Sequence, residues 1–375
     1  MGASRVGARW GLPGVVLANA LVPARGAVRK DLVVRALLYH GESRLTVGEV
    51  ETPHPGPGEV RVRIDSVGIC KSDIYGYSQR NNRRDEVLGA GETLVMGHEA
   101  VGTIDELGPG VEGLELGMAV AVDPIEGCGK CELCRAGDTN LCPARRVYGC
   151  IPAAPGGFAE AMIAPAGNVC PLSGDRPLEW GSLVEPLTVG EHGVRLAEFE
   201  AGDPVLTIGG GIIGLGAALA AHRRGAVVTV AEPQAERRRI AESLGLATAH
   251  PDDLLGSDAS FSVVLDCVAR PETVAAGVEM SGRKGTLVLI GIWSDEVPLP
   301  VSRTVENETR ILGSFGYRHE DFANVAEWVS TTELDLSPLI ELRVDFETVI
   351  DAFDRYSDGS LDAMRTLFQP AGPGA

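Results

Sequence analysis

The sequence predicts an α/β protein in which an irregular β-barrel comes first and a doubly wound parallel sheet follows. A change of texture along the chain predicts it. Across about 34–180 the residues run in short β-rich segments broken by Gly and Pro, as at Pro53, Pro55, Gly56, Pro57 and Gly58, and again at Gly108-Pro-Gly110. From about 181 to 318, strands alternate with helices of the length that parallel βαβ units need. After that the pattern turns mixed, which places 319–375 back on the first part. A chain of 375 residues can bury two cores of this kind.

The individual elements follow from periodicity. Val60-Arg-Val-Arg-Ile-Asp-Ser-Val67 alternates apolar and polar residues, as a half-buried strand does. Thr93-Leu-Val-Met96 and Met118-Ala-Val-Ala-Val122 are short apolar runs between turn signals. In the second part, Val205-Leu-Thr-Ile208 is a strand, followed by a glycine turn and a helix over 212–225. Val227-Val-Thr-Val-Ala231 is the next strand, and a charged helix runs over about 233–244. Ser262-Val-Val-Leu-Asp266 and Gly285-Thr-Leu-Val-Leu-Ile290 continue the series.

Composition excludes several classes. The formal net charge of −19 repels nucleic acid and anionic lipid, so neither is expected as a partner. No run of about 18 uninterrupted apolar residues is present, so no membrane-spanning helix is expected. The extension 1–33 carries Arg5, Arg9, Arg25, Arg29 and Lys30 and an apolar patch over 11–22 ending near Ala-Asn-Ala at 18–20. That imitates a secretion signal. A tail without fixed structure, or a start codon placed too early, accounts for it better, given the chemistry downstream.

Four of the eight cysteines fall within fifteen residues. Cys128-Gly-Lys-Cys131-Glu-Leu-Cys134 and then Cys142 give the spacing C-x2-C-x2-C-x7-C in a lobe at about 127–143. Four thiolates enclose one Zn²⁺ tetrahedrally and leave no open position, so this site is structural. A second set is dispersed: Cys70 in Gly-Ile-Cys-Lys-Ser-Asp, His98-Glu99 after Met-Gly, and Glu185 in Glu-Pro-Leu. Each alone has an ordinary reading, a buried thiol, a core histidine, or a Glu-Pro that starts a helix. Together they form a mixed S, N and O set that leaves a zinc position open, as catalysis requires.

Those motifs, in that order and followed by Gly-Gly-Phe-Ala-Glu and a glycine fingerprint, resemble the zinc-containing medium-chain dehydrogenase family over about 34–368. The resemblance implies a GroES-like catalytic domain and a Rossmann nucleotide domain. It implies a catalytic zinc on Cys70 and His98, with Glu99 and Glu185 as ligands or close neighbours. Glu185 stands where other alcohol dehydrogenases place a second cysteine. That feature, with Leu334-Asp-Leu-Ser-Pro-Leu-Ile340, is similar to the polyol, butanediol and threonine dehydrogenase branch. A homodimer or homotetramer built partly through the nucleotide domain is implied as well.

Gly209-Gly-Gly-Ile212-Ile213-Gly214 fits the dinucleotide fingerprint, with a strand before it, a helix after it and Glu232 ending the next strand. Gly209 makes the tight turn, Gly211 lets the backbone approach the pyrophosphate, and Gly214 packs helix on sheet. Glu232 is expected to accept the ribose hydroxyls and repel a 2′-phosphate, which favours NAD over NADP. Arg237, Arg238 and Arg239 complicate that reading, since a nearby arginine can receive a 2′-phosphate. Cys267, Ile290 and Ile292 are counted with the cofactor site, and Lys71 as a residue that reaches a cofactor phosphate. Cys150 and Cys170 read as packing residues, and Cys267 packs as well.

The expected chemistry is hydride transfer between a secondary alcohol and the nicotinamide, by an NAD(P)-dependent zinc alcohol dehydrogenase holding two Zn²⁺ per chain. Ser72 is the expected first carrier of the alcohol proton, and Asp73 is expected to orient His98. Family members often carry His five residues after the zinc cysteine and Gly immediately after it; here those positions are Tyr75 and Lys71. Tyr75 either relays the proton or lines the pocket. Phe158, Trp293 and Tyr317 are further pocket candidates, though each could as easily be core. Reduced thiols and a soluble nucleotide point to the cytoplasm. Two other readings stay open: a threonine-type dehydrogenase acting on a zwitterion, and a nucleotide-binding protein whose chemistry has lapsed.

Overall fold

The computed structural model describes residues 33–52, 54–78, 83–89, 91–292 and 296–372. The expectations for the N-terminal extension and for Trp293 fall outside these residues, apart from Val33, which opens the first strand.

The strand Glu59–Gly68 organises the first half. Its alternation buries Val60, Val62 and Ile64 on one face, and register shifts near Arg61 and Ile64 bend it. It pairs antiparallel with Glu99–Leu107 on one side and with Ala161–Pro165 and Thr366–Phe368 along the other. Ala119–Val122, Val169–Pro171 and Leu342–Val344 complete this seven-stranded sheet. The last two strands in sequence, Leu342–Val344 and Thr366–Phe368, thus bring the chain back to the sheet where it began. A hairpin of Val33–Tyr39 and Leu45–Glu51, which periodicity does not single out, forms a separate three-stranded sheet with Leu94–Val95 and shares the core of the larger one through Leu37, Tyr39 and Leu94. Phe158, proposed above as a pocket residue, is instead fully buried, edge-on to Phe353 and Phe368. An aromatic ring packed against two others and closed to solvent in this way is core.

The second half is a parallel sheet of six strands among the described residues. Its spatial order is Ala247–Ala249, Val227–Ala231, Pro204–Ile208, Phe261–Asp266, Ser281–Leu289, Arg310–Gly313. The sheet starts at its centre, runs outward to one edge and then crosses to the other side. That reversal opens a crevice at the carboxyl ends of the two central strands. The predicted helix after the glycine turn is Ile212–Arg223, and the charged helix is Ala235–Ser243. Both halves are therefore as the sequence predicts in class.

Between the halves runs the helix Val184–Leu196, with Glu185 and Pro186 in its first turn. It crosses the helix Ile212–Arg223 at very short range, because Gly190 faces the backbone there: a Cβ on Gly190 would lie 2.2 Å from the Ala217 amide nitrogen. Gly190→Ala is accordingly expected to cost about 1–3 kcal/mol, as overpacking does. Gly167→Ala, whose Cβ would meet nothing within 4 Å, is expected to be neutral. Thermal denaturation of the two variants side by side checks the pair.

Candidate active site

Strand pairing builds the candidate catalytic centre. Gly68 ends its strand directly opposite Glu99, and a Cβ at Gly68 would come 1.9 Å from Glu99 Oε2. Glycine at 68 is what lets the Glu99 carboxylate lie across the strand end. Two residues later Cys70 heads the helix Lys71–Tyr77, its amide donating to Asp73 Oδ2 at 3.0 Å. His98 precedes Glu99 and is nearly buried. One ligand atom each from Cys70, His98 and Glu99 lies within 4.8 Å of the others. Asp73 Oδ1 sits 3.5 Å from His98 Nδ1, and Ser72 Oγ sits 3.5 Å from Nε2 on the opposite side of the ring.

Electrostatics fits a cation at this point. Burial raises the Glu99 carboxyl to about 8 and the Glu185 carboxyl to about 7. Burial pushes the Cys70 thiol up as well, but the neighbouring His98 more than offsets it and the thiol falls to about 7. Burial lowers the basicity of His98, and the charges of Asp73 and Cys70 outweigh that, holding it well above its usual range. Both Glu99 oxygens are buried without a hydrogen bond, although Arg365 Nη1 stands 3.1 Å from Oε2. Acceptor atoms left in this condition suit a metal ion, whose charge would repay their desolvation.

Glu185 stands outside the three-residue group. Its Oε1 accepts a hydrogen bond from Tyr317 at 3.1 Å, near enough to His98 and Glu99 for their charges to act on it. Glu185 therefore borders the three-residue group as a close neighbour. The buried Tyr317 hydroxyl needs an acceptor, and one oxygen of this carboxylate supplies it.

The cysteine lobe comes together as its spacing predicts. Cys128, Cys131, Cys134 and Cys142 group within 4.8 Å, with sulfur separations of 4.0 Å for Cys128–Cys134 and 3.8 Å for Cys131–Cys142. Zn–S bonds of about 2.3 Å in a tetrahedron space the sulfurs by about 3.8 Å. Disulfides would bring them to about 2 Å. The lobe docks on the second half: Asp138 pairs with Arg318 at 2.5 Å, and Asn140 Nδ2 donates to the Phe315 carbonyl at 2.6 Å. Arg145 lies over the Phe315 ring.

At the nucleotide crevice, Gly209 turns with φ +98° and Gly211 caps the helix Ile212–Arg223. A Cβ on Gly214 would meet the Gly209 carbonyl oxygen at 1.8 Å, whereas one on Gly211 would project into open space, where a pyrophosphate fits at the helix N-terminus. Glu232 is pinned by the amides of Gly210 at 2.7 Å and Gln234 at 2.8 Å. Cys267 follows its strand, its amide bonded to the Ile208 carbonyl, and is partly buried. The side chain of Ile290 packs on Gly193 in the core, and that of Ile292 is largely exposed. Lys71 lies among Arg237, Asp362, Cys70 and Arg365 at the mouth of the cleft, and burial followed by the Arg237 charge lowers its basicity. Tyr75 is partly exposed on its helix.

Arg365 is the site residue that motif reasoning missed. A cation inside the apolar run Met364-Arg-Thr-Leu-Phe368 needs a buried partner, and that was the available signal. It is almost wholly buried, and Nη1 also donates to the Ile69 carbonyl at 2.8 Å.

Residues 56–174 match the alcohol dehydrogenase GroES-like domain family, and residues 213–331 match the zinc-binding dehydrogenase family. The chain is 31% identical over 343 residues to 2-dehydro-3-deoxy-L-galactonate 5-dehydrogenase of Pseudoalteromonas atlantica, covering 89% of this chain and 98% of the relative. It is 31% identical to sorbitol dehydrogenase of Bos taurus, covering 86% and 93%. Among solved structures, a zinc-binding dehydrogenase of Sinorhizobium meliloti bound to NADP superposes with a TM-score of 0.80 at 28% identity, covering 90% of this chain and 99% of the other. The chain belongs to the zinc-containing medium-chain alcohol dehydrogenase family. It is an alcohol dehydrogenase that uses zinc and a nicotinamide cofactor.

Replacing Arg365 by Leu would remove the cation beside Glu99 and the donor to the Ile69 carbonyl, both buried. We expect Arg365→Leu to destabilise the chain by about 3–5 kcal/mol and Arg365→Lys by much less. Denaturant titration of the two variants tests this.

Proposed function

We propose that the protein interconverts a secondary alcohol of a polyol or sugar acid with its ketone, using NAD and two zinc ions. The convergence of Cys70, His98 and Glu99 beside the dinucleotide crevice carries the reading. The relatives named for sorbitol and for a deoxygalactonate supply the substrate class. The catalytic zinc would be held by Cys70, His98 and Glu99, with Glu185 held in reserve by Tyr317, and the structural zinc by Cys128, Cys131, Cys134 and Cys142. When bound, zinc supplies Lewis acidity to an alcohol oxygen, and the nicotinamide takes the hydride.

The chain's own residues do the rest. Ser72 holds the proton that the alcohol gives up, on the cleft side of His98 Nε2, while Asp73 fixes the ring from Nδ1. Tyr75, exposed on the same helix, receives that proton or borders the path to solvent. Gly209, Gly211 and Gly214 with Ile212 and Ile213 shape the pyrophosphate turn, and Lys71 offers it a cation. Glu232 binds the ribose hydroxyls and opposes a 2′-phosphate, which is the basis for NAD in place of NADP. Cys267 and Ile292 border the nicotinamide side, with Ile290 behind them. The edge strand Arg310–Gly313 and the exposed Val301 and Val305 of the neighbouring helix are the face through which two copies would associate, as a homodimer or as half of a homotetramer. Among the described residues no helix is long and apolar enough to cross a membrane.

A panel of sorbitol, other sugar alcohols, sugar acids, vicinal diols and threonine with NAD and NADP, followed by absorbance of the reduced cofactor, tests the reading. Turnover of polyols or sugar acids with NAD is expected; turnover of threonine alone, or of none of them, overturns the substrate class. Metal analysis is expected to give two zinc per chain, falling to one in Cys70→Ser with loss of activity and an unaltered fold. Ser72→Ala is expected to lower kcat by about 10²–10⁴, the worth of a positioned proton carrier, with zinc content unchanged.

A further inference from the structure

The three arginines after Glu232 each have a partner. Arg239 pairs with Glu236, one turn back on the same helix. Arg238 Nη1 donates to the carbonyls of Glu232 at 2.7 Å and Pro233 at 2.8 Å, so it closes the local turn. Arg237 is different, because its partner comes from across the cleft. Its Nη2 donates to Asp362 Oδ1 at 2.7 Å, and Gln234 Nε2 donates to Asp362 Oδ2 at 3.2 Å. Asp362 lies in the loop between the helix Val349–Asp358 and the strand Thr366–Phe368, three residues before Arg365. The guanidinium of Arg237 is mostly covered, with 14% of the side chain exposed, and Asp362 remains half open to water at 52%. Lys71 is near enough to both for their charges to act on it. One carboxylate of the catalytic half therefore straps the first turn of the nucleotide helix Ala235–Ser243 from outside.

We propose that Asp362 is a positioning residue that sets the choice between NAD and NADP, an inference that rests on the NAD reading above. A 2′-phosphate wants a free guanidinium that can bind it in a fork. Arg237, five residues beyond Glu232, is the arginine of the three that is not folded back on its own turn or helix. Asp362 neutralises it and occupies its Nη2 donor. NADP would have to break this ion pair to reach the cation, whereas NAD leaves it whole. Glu232 opposes the same phosphate from the ribose side, so two carboxylates, one from each half, act against it. Asp362 acts through Arg237 and touches no reacting atom.

The test is binding, measured by quenching or transfer of protein fluorescence on titration with NADH and NADPH, so no substrate is needed. In Asp362→Asn, NADPH is expected to bind about tenfold tighter, equivalent to about 1.4 kcal/mol, with NADH shifted less than about threefold. The gain is expected to vanish in the double variant Asp362→Asn, Arg237→Ala, and Asp362→Glu is expected to keep the wild-type ratio. A merely structural role for Asp362 would weaken both coenzymes together and leave their ratio alone. A wild-type chain that prefers NADH, with the ratio unchanged in Asp362→Asn, overturns the role of Asp362 and leaves the NAD reading standing. A wild-type chain that binds NADPH more tightly overturns the NAD reading and the selection by Asp362 with it.

Discussion

The antiparallel register that sets Gly68 opposite Glu99 is the constraint from which the catalytic centre follows. Because the two strand ends lie side by side, Cys70 and His98, each within two residues of that pair, are carried to the same place. Slipping the register by one residue would turn Glu99 to the opposite face and disperse the set. The arrangement buries several ionisable groups at once, which is costly unless they are paired. Arg365 answers part of the charge from the residue just before the last strand, Thr366–Phe368, so this late segment is tied to the group built by Gly68, Cys70 and Glu99.

The second half contributes a crevice and the first half contributes reach. The reversal of strand order places the glycine turn at the carboxyl end of the sheet, and Glu232 is fixed there by two backbone amides. Residues of the first half come to that crevice from two segments far apart in sequence, Lys71 beside the catalytic cysteine and Asp362 near the C-terminus. Lys71 and Asp362 both reach Arg237 of the second half, so the two halves meet at that edge of the crevice.

Much of this was legible in the sequence because the relevant signals are local. The four-cysteine spacing, the alternation of Val60 to Val67 and the strand, turn and helix around Gly209 each depend on residues close together in the chain. What was not legible depends on partners far apart. Nothing near Arg365 reveals that it meets Glu99, and nothing near Asp362 reveals that it meets Arg237. For Phe158 the sequence leaves pocket and core open, because an aromatic residue beside a glycine pair looks the same whether it faces a cleft or a core, and here the rings of Phe353 and Phe368 decide. Glu185 sits in the expected helix turn, but the hydroxyl that takes its carboxylate belongs to Tyr317, 132 residues away.

The docking of the cysteine lobe has a consequence for that tyrosine. Asp138, Asn140 and Arg145 grip Phe315 and Arg318, the residues on either side of 316 and 317. The ring that restrains the Glu185 carboxylate is therefore seated by a loop whose own shape depends on four thiols. A metal remote from the reacting alcohol would in this way govern how far a carboxylate can swing toward the reactive ion.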